Sequence, residues 1–111
     1  MLRTLCNFYD DRDMLLTQDQ TMVRDAVRDF VTEQITPHAA RWDKEHHFPR
    51  DVHQGLAALG AYGICVPEEW GGAGLDYVTL ALVLEEIAAG DGGTSTAISV
   101  TNCPVNAILL R

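Results

Sequence analysis

The chain has 111 residues, of which 47% are hydrophobic, and its 16 acidic and 8 basic side chains give a formal net charge of -8. This length and composition fit one compact domain with a real core. The negative charge repels polyanions, which argues against binding to nucleic acids or anionic membranes. Cys6, Cys65 and Cys103 are widely spaced and form no C-x-x-C pair, so we expect reduced thiols, no disulfide framework and no metal site.

The amino terminus carries no sign of an export or membrane segment. Asp10, Asp11 and Asp13 stand where a signal or transit peptide would be basic and apolar, and no apolar run approaches membrane-spanning length. We therefore expect a soluble, cytoplasmic protein. Residues 1–15 lack periodicity, which predicts a poorly ordered lead-in before a helical domain over residues 16–111.

The first helix is predicted to begin after Thr17, because Thr17 and Gln20 have the spacing of a capping box. Hydrophobic residues then recur at helical spacing: Met22, Val23, Ala26, Val27, Phe30, Val31 and Ile35. The opposite, polar face carries Arg24, Asp25, Arg28, Asp29, Thr32 and Glu33. Pro37 disfavours helical geometry at the residue before it, so this amphipathic helix should stop or kink near Ile35.

Two shorter helices should follow. The first spans His38 to His46, and Phe48-Pro49 then restarts a helix with a hydrophobic face made of Val52, Leu56 and Leu59. Gly60 is placed to take the left-handed conformation beyond its end. The stretch "ICVP" at 64–67 is short and closed by proline, which favours buried coil over a strand.

The central helix is predicted from Asp76 to Ala89, where hydrophobic residues cover nearly the whole circumference and indicate packing on most sides. Residues 94–103 suit a strand or a helix by periodicity, and the helical neighbours favour a helix. Pro104 fits the first turn of another helix. Since no cap precedes the end at Arg111, we expect the chain to have been cut short.

The glycine turn, residues 71–75 ("GGAGL"), raises the question of a phosphate site at a helix start. Such a site needs free backbone donors and often a nearby basic residue. Glu68 and Glu69 precede the turn, and no lysine or arginine lies between Arg50 and Arg111. Asp76 can cap the helix with its own carboxylate. We therefore expect a tight structural turn that does not bind phosphate.

Other polar residues give weaker signals. Glu85 and Glu86 are adjacent and point about 100° apart, so they cannot act as a carboxylate pair, and a solvated edge or an ion pair with an arginine of the first helix is expected. The four histidines form no convincing metal-ligand pattern and are predicted to lie on the surface: His38, His46, His47 and His53. Trp42 and Phe48 are predicted to be core or inter-helix anchors.

The predicted helix over 94–103 is rich in small or polar residues where a buried helix would usually carry bulk: Ser95, Ala97, Ser99 and Asn102. Small side chains can serve close helix packing or leave room for a ligand. The residues alone leave open a tightly packed helix and one wall of an elongated ligand cavity.

Three stretches carry a family resemblance: "LTQDQTMVRDAVRDFVTEQITPHAARWDKEHHFP", "LAALGAYGICVPEEWGGAGLDYVTLALVLEEIAAGD" and "TAISVTNCPVNAIL". From about Leu16 to Arg111 the sequence resembles the amino-terminal helical domain of the acyl-CoA dehydrogenase family. The middle stretch is the most specific, because a proline, two acids, an aromatic residue, the glycine turn and an acidic-ended apolar helix follow in one unbroken order.

The resemblance implies an all-α fold, an up-down bundle of about five to six helices, within a flavoenzyme. Such an enzyme removes two hydrogens from an acyl-CoA thioester, passes a hydride to FAD and delivers electrons to an electron-transfer flavoprotein, typically as a homotetramer. The middle β-domain and the carboxy-terminal helical domain, with the flavin signature and the catalytic glutamate, are absent from these residues. No catalytic residue is therefore assigned, and neither Glu85 nor Glu86 takes that role.

The resemblance also implies substrate-lining residues, namely Thr96, Ser99, Asn102 and Cys103, with Ser99 at a position where the pocket floor varies with acyl chain length. Two alternatives stay open. One is a free-standing helical interaction module that has lost catalysis. The other is a related flavoprotein oxidase or monooxygenase of the same fold.

Overall fold

A computed structural model describes residues 15–110, so nearly all of the predicted lead-in lies outside the described residues. The architecture is all-α, as predicted, and residues 15–110 form no strand. The described α-helices are α1 (Gln18–Phe30), α2 (Ala39–Glu45), α3 (Arg50–Ala58), α4 (Tyr77–Gly90) and α5 (Gly92–Leu109). A π-helical segment (Val31–Ile35) continues α1, and a 3-10 turn (Glu68–Trp70) precedes the glycine turn. No helix among these residues has both the length and the apolar character needed to cross a bilayer.

Helix α1 begins with the predicted capping box. The Gln20 amide donates to the Thr17 hydroxyl at 3.2 Å, and the Thr17 amide donates to the Gln20 side chain at 3.0 Å. The Thr36 amide donates to the Val31 carbonyl five residues earlier, and the helical run ends before Pro37 as expected.

The buried stripe of α1 is narrower than predicted. Val27, Val31 and Ile35 lie in the core, whereas Met22 and Ala26 are exposed. Arg24, which was assigned to the polar face, is buried and forms an ion pair with Asp25 at 2.9 Å. The reason is the spacing, because Arg24 stands three and seven residues before Val27 and Val31 and so shares their stripe.

Helices α2 and α3 differ from the prediction in which aromatic and histidine side chains they bury. Trp42 is buried, as expected of an anchor, but Phe48 is 61% exposed. Its ring instead stacks on His53, a residue predicted to lie on the surface that is only 8% exposed. Leu59 is also exposed, because α3 ends at Ala58 and the chain reverses at Gly60 in the predicted left-handed conformation.

Helix α4 is covered on one side only, contrary to the prediction of packing on most sides. Thr79, Val83 and Ile87 are buried, whereas Tyr77 and Val78 are more than half exposed. Within the described residues α4 packs mainly against α1 and α5. Two neighbouring helices can cover only part of a helix that is hydrophobic all round.

Helix α5 runs unbroken through Pro104, so the predicted new helix at this residue was wrong. A proline inside a helix removes one backbone hydrogen bond, here the bond that would reach the Val100 carbonyl. Val100 is exposed, so water can satisfy that carbonyl. Asp91 is the whole connection between α4 and α5, and its carboxylate accepts hydrogen bonds from the Thr94 amide at 2.8 Å and hydroxyl at 2.6 Å.

Candidate functional site

The glycine turn uses its backbone donors within the chain. The amides of residues 71–75 donate to carbonyl oxygens at 2.8–3.2 Å. The five pairs are Gly71 to Glu68, Gly72 to Pro67, Ala73 to Gly63, Gly74 to Val66 and Leu75 to Ile64. A phosphate cradle requires amides that point at the ligand and have no other acceptor. This turn therefore offers no such cradle, which agrees with its predicted structural role.

Glycine is required in the turn by close backbone approach. A Cβ atom on Gly72 would lie 2.1 Å from the Val66 carbonyl oxygen. Gly71 instead has a φ of 83°, with nothing within 4 Å of an added Cβ. One glycine allows two backbone segments to touch, and the other allows a left-handed turn.

The helix start after the turn is already occupied by a fixed carboxylate, as predicted. Asp76 accepts hydrogen bonds at 2.7 Å from both the amide and the hydroxyl of Thr79, and a third at 3.0 Å from Gln20 of α1. The Thr79 amide, then the Thr79 hydroxyl, lowers the pKa of Asp76. The negative charge at this terminus disfavours a phosphate group, so the turn does not suit the diphosphate of a flavin dinucleotide.

Three of the four residues that the resemblance marked as substrate-lining share one side of α5. Thr96, Ser99 and Cys103 are three and seven residues apart, which places them on one helical face. Thr96 and Cys103 are exposed and Ser99 is half-buried, while Val100, on the same face, is exposed. We call these four residues the outer face of α5. Its side chains are small or β-branched, and the Thr96 hydroxyl donates to the Gly92 carbonyl at 2.9 Å.

The fourth residue, Asn102, lies on the inner side of α5. It is 1% exposed, and its Nδ2 donates to the carbonyl oxygens of Ala61 at 2.9 Å and Ile98 at 3.0 Å. Asn102 therefore joins α5 to the segment after α3. Ser95 acts in a similar way, since its hydroxyl donates to the Leu84 carbonyl of α4 at 2.9 Å. Close helix packing accounts for the small residue at Ser95.

The adjacent glutamates of α4 have separate environments. Glu86 forms a two-point ion pair with Arg28 of α1, at 2.7 Å to Nη2 and 3.0 Å to Nε, whereas Glu85 is exposed. The hydrogen bond that Arg28 donates to Glu86 raises the pKa of Arg28, and burial opposes this increase. The predicted ion pair with an arginine of the first helix is confirmed, and its role is to hold α4 against α1.

A histidine–tyrosine pair that the sequence analysis did not predict lies between α3 and the segment after it. His53 Nδ1 is hydrogen-bonded to the Tyr62 hydroxyl, and its ring stacks on Phe48 with centroids 4.4 Å apart. Burial lowers the pKa of His53, an effect that the charge of Asp91 partly offsets, and burial raises the pKa of Tyr62. The burial of His53 could have been inferred from its position, because His53 is three residues before Leu56 on the stripe that faces the core.

A shallow cleft of about 580 Å³ lies beside the glycine turn. It is lined mostly by small and apolar side chains from the end of α3, the turn and α5, including Leu59, Tyr62, Val66, Trp70 and Val105. Within residues 15–110 no cluster of three histidine, cysteine, aspartate or glutamate side chains could hold a metal ion.

Residues 17–111 match the family model described as "Acyl-CoA dehydrogenase, N-terminal domain". The chain is 39% identical over 100 residues to the mitochondrial isobutyryl-CoA dehydrogenase of Dictyostelium discoideum, covering 90% of this chain and 24% of the relative. It is 41% identical over 87 residues to the mitochondrial short-chain specific acyl-CoA dehydrogenase of Rattus norvegicus, covering 78% and 21%. The chain spans less than a quarter of the length of these relatives.

Solved structures support the same relationship. A structure described as a glutaryl-coenzyme A dehydrogenase–glutaryl-CoA complex superposes with a TM-score of 0.65 at 40% identity, covering 68% of this chain and 20% of that chain. A structure described as an electron transferring flavoprotein of Acidaminococcus fermentans gives a TM-score of 0.72 at 37% identity, covering 76% and 22%. With the match of the family model over 17–111, these similarities establish that the chain belongs to the acyl-CoA dehydrogenase family, of which it carries the N-terminal domain.

Proposed function

We propose that this chain is the N-terminal part of an FAD-dependent acyl-CoA dehydrogenase and that the outer face of α5 forms one wall of its acyl pocket. The observation that carries the proposal is the contrast between the two sides of α5. The inner side is fixed in the core, whereas on the outer face Thr96, Val100 and Cys103 are exposed and Ser99 is half-buried. In a chain of this family, such a face suits an acyl group.

The reaction assigned to the whole protein is α,β-dehydrogenation of an acyl-CoA thioester. FAD supplies the chemistry by accepting a hydride, and the glycine turn of this chain does not suit its diphosphate, so other domains hold the cofactor. This domain contributes an apolar wall that excludes water and orients the acyl chain. Thr96, Ser99 and Cys103 contact that chain, and Asn102 is a positioning residue that fixes α5 from behind.

Ser99 sets how deep an acyl chain can enter. It is half-buried between the exposed positions of the outer face and the inner side of α5. A larger residue here would fill space at the pocket floor, and each lost methylene of room changes binding by roughly 1–3 kcal/mol. An electron-transfer flavoprotein as electron acceptor, a homotetramer and a cytoplasmic location belong to the same proposal.

The test uses the protein expressed from its complete reading frame. We expect a yellow flavoprotein whose flavin is bleached by an acyl-CoA and which reduces an electron-accepting dye. Residues 1–111 expressed alone should be colourless and inactive, since they contain neither the flavin site nor the catalytic base. Tight flavin binding or dye reduction by residues 1–111 would contradict this assignment.

A non-catalytic interaction module is the second candidate, and exposed apolar side chains favour it. Trp70 is 72% exposed, and Val78 and Ile108 are also largely exposed. Such side chains suit a surface covered by another protein or domain. A complete reading frame with no flavin-binding domain would support the module. A flavoprotein that consumes oxygen and forms hydrogen peroxide on adding acyl-CoA would instead indicate an oxidase of the same fold.

A further inference from the structure

Two asparagines on the inner side of α5 each bury a side-chain oxygen that accepts no hydrogen bond from residues 15–110. Asn102 is 1% exposed and Asn106 is 8% exposed, and the two atoms are Oδ1 in both cases. The residues are four apart, so their side chains are neighbours on one helical face, with Cβ atoms about 5–6 Å apart. Buried polar atoms without a partner are uncommon, and two side by side point to a shared ligand.

The orientation of Asn102 identifies the kind of ligand. Its Nδ2 donates to the carbonyl oxygens of Ala61 and Ile98. Exchanging the positions of Oδ1 and Nδ2 would place Oδ1 next to those two carbonyl oxygens, and acceptors repel each other. Oδ1 therefore remains an acceptor that points elsewhere. A ligand that contacts Asn102 Oδ1 must therefore donate a hydrogen bond, which disfavours an anion that carries no donor.

We propose that Asn102 and Asn106 together bind one buried water molecule, which donates one hydrogen to each Oδ1. A water about 2.8 Å from each acceptor can bridge two oxygens up to roughly 5 Å apart, and side chains four residues apart on a helix can bring their ends within that range. Buried waters in proteins satisfy polar atoms in this manner. Calcium and magnesium need six or more oxygen ligands, usually including carboxylates, so two neutral amides do not make a cation site.

The position in the fold gives water a route to this site. The residues on either side of Ala61, which accepts from Asn102, line the cleft beside the glycine turn, as does the residue before Asn106. These lining residues are Gly60, Tyr62 and Val105. A water molecule can exchange with solvent through the cleft, so that filling the site does not require the core to open.

The experiment is a crystal structure of the protein expressed from its complete reading frame, at a resolution that shows ordered water. We expect one water within hydrogen-bonding distance of Oδ1 of both asparagines. Asn106→Leu removes one acceptor and should abolish the water, whereas Asn106→Asp keeps acceptor oxygens in the same place and should retain it. Thr101→Val, on another side of α5, is the matched control and should also retain it.

Three results would overturn the proposal. One is a protein side chain that donates to the two oxygens in the complete protein. Another is a dry site in well-ordered density. The third is a water that persists unchanged in Asn106→Leu. If Asn106→Leu does not fold, the first two results still decide the question in the unaltered protein.

Discussion

The glycine turn and the outer face of α5 are both built from small residues, and they differ in whether those residues are used in contacts within the chain. In the turn, all five amides of residues 71–75 donate to carbonyls of the chain, and Gly72 brings two backbone segments into contact. On the outer face, Cys103 is exposed and Ser99 is only half-buried, so these side chains are not enclosed by the described residues. Small residues thus serve internal packing in the first region and leave a surface available in the second.

The largest expected effect tests the packing role of the turn. Gly72→Ala should lower the free energy of unfolding by about 3 kcal/mol, because the new Cβ would collide with the backbone and side chain of Val66. Urea denaturation followed by circular dichroism measures this. Gly71→Ala is the matched control, and with no steric contact it should cost only about 1 kcal/mol for its left-handed backbone. Equal losses in the two variants would show that close approach at Gly72 does not matter.

The second prediction concerns the inner side of α5. Asn102→Ala removes two hydrogen bonds to backbone carbonyls and opens a small cavity, so it should lower the free energy of unfolding by about 2 kcal/mol. Thr101→Val is the control, because its hydroxyl bonds only to Ala97 within the same exposed helical turn. A loss no larger than that of the control would mean that Asn102 does not fix α5 in the core.

The third prediction concerns the outer face of α5, where a larger residue should change activity more than stability. Ser99→Leu in the complete protein should lower kcat/KM for the longest acyl-CoA accepted by about tenfold, since the larger side chain fills the pocket floor. Its effect on unfolding should stay within about 0.5 kcal/mol, because the position is only half-buried. Dye-reduction assays over a series of acyl chain lengths provide the measurement. An equal loss for short and long chains would argue against a wall at Ser99.

The smallest expected effect concerns the histidine–tyrosine pair next to the cleft. Burial lowers the folded-state pKa of His53, so the folded protein binds fewer protons than the unfolded chain. Stability should be fully present above the unfolded-state pKa of about 6.5 and fall as the pH decreases below it. Urea denaturation at several pH values measures the slope. His53→Gln stays neutral throughout and should flatten it, and an unchanged slope in that variant would exclude His53 as its source.

The sequence predicted local features well. The capping box at Thr17, the boundary before Pro37 and the Asp76 cap each depend on a few adjacent residues, and each is present. The structural role of the glycine turn was also predictable, because Glu68, Glu69 and the missing basic residues argued against phosphate. Predictions failed where two elements had to meet. The burial of His53 and the exposure of Phe48 depend on how α3 lies against the segment that carries Tyr62.

In the candidate site, too, the predictions failed where burial depends on a neighbouring element. The resemblance grouped Thr96, Ser99, Asn102 and Cys103, yet Asn102 lies on the adjoining, buried side of α5. The helix break predicted at Pro104 is also absent. One missing hydrogen bond at an exposed turn costs less free energy than the packing of a continuous helix contributes. Periodicity alone indicates neither which neighbour covers a helix nor how much of it remains exposed.

By itself the sequence determined the helical class, the starts of α1 at Thr17 and of α4 at Asp76, and the family, because short-range hydrogen bonds and backbone preferences act over a few residues. Only the tertiary structure decided which face of α5 is core and which is available to a ligand. It also decided that Glu86 pairs with Arg28 while Glu85 does not, and that Asn102 and Asn106 bury unpaired oxygens. These outcomes depend on contacts between residues distant in the chain, where burial and pairing are set by the neighbouring helix.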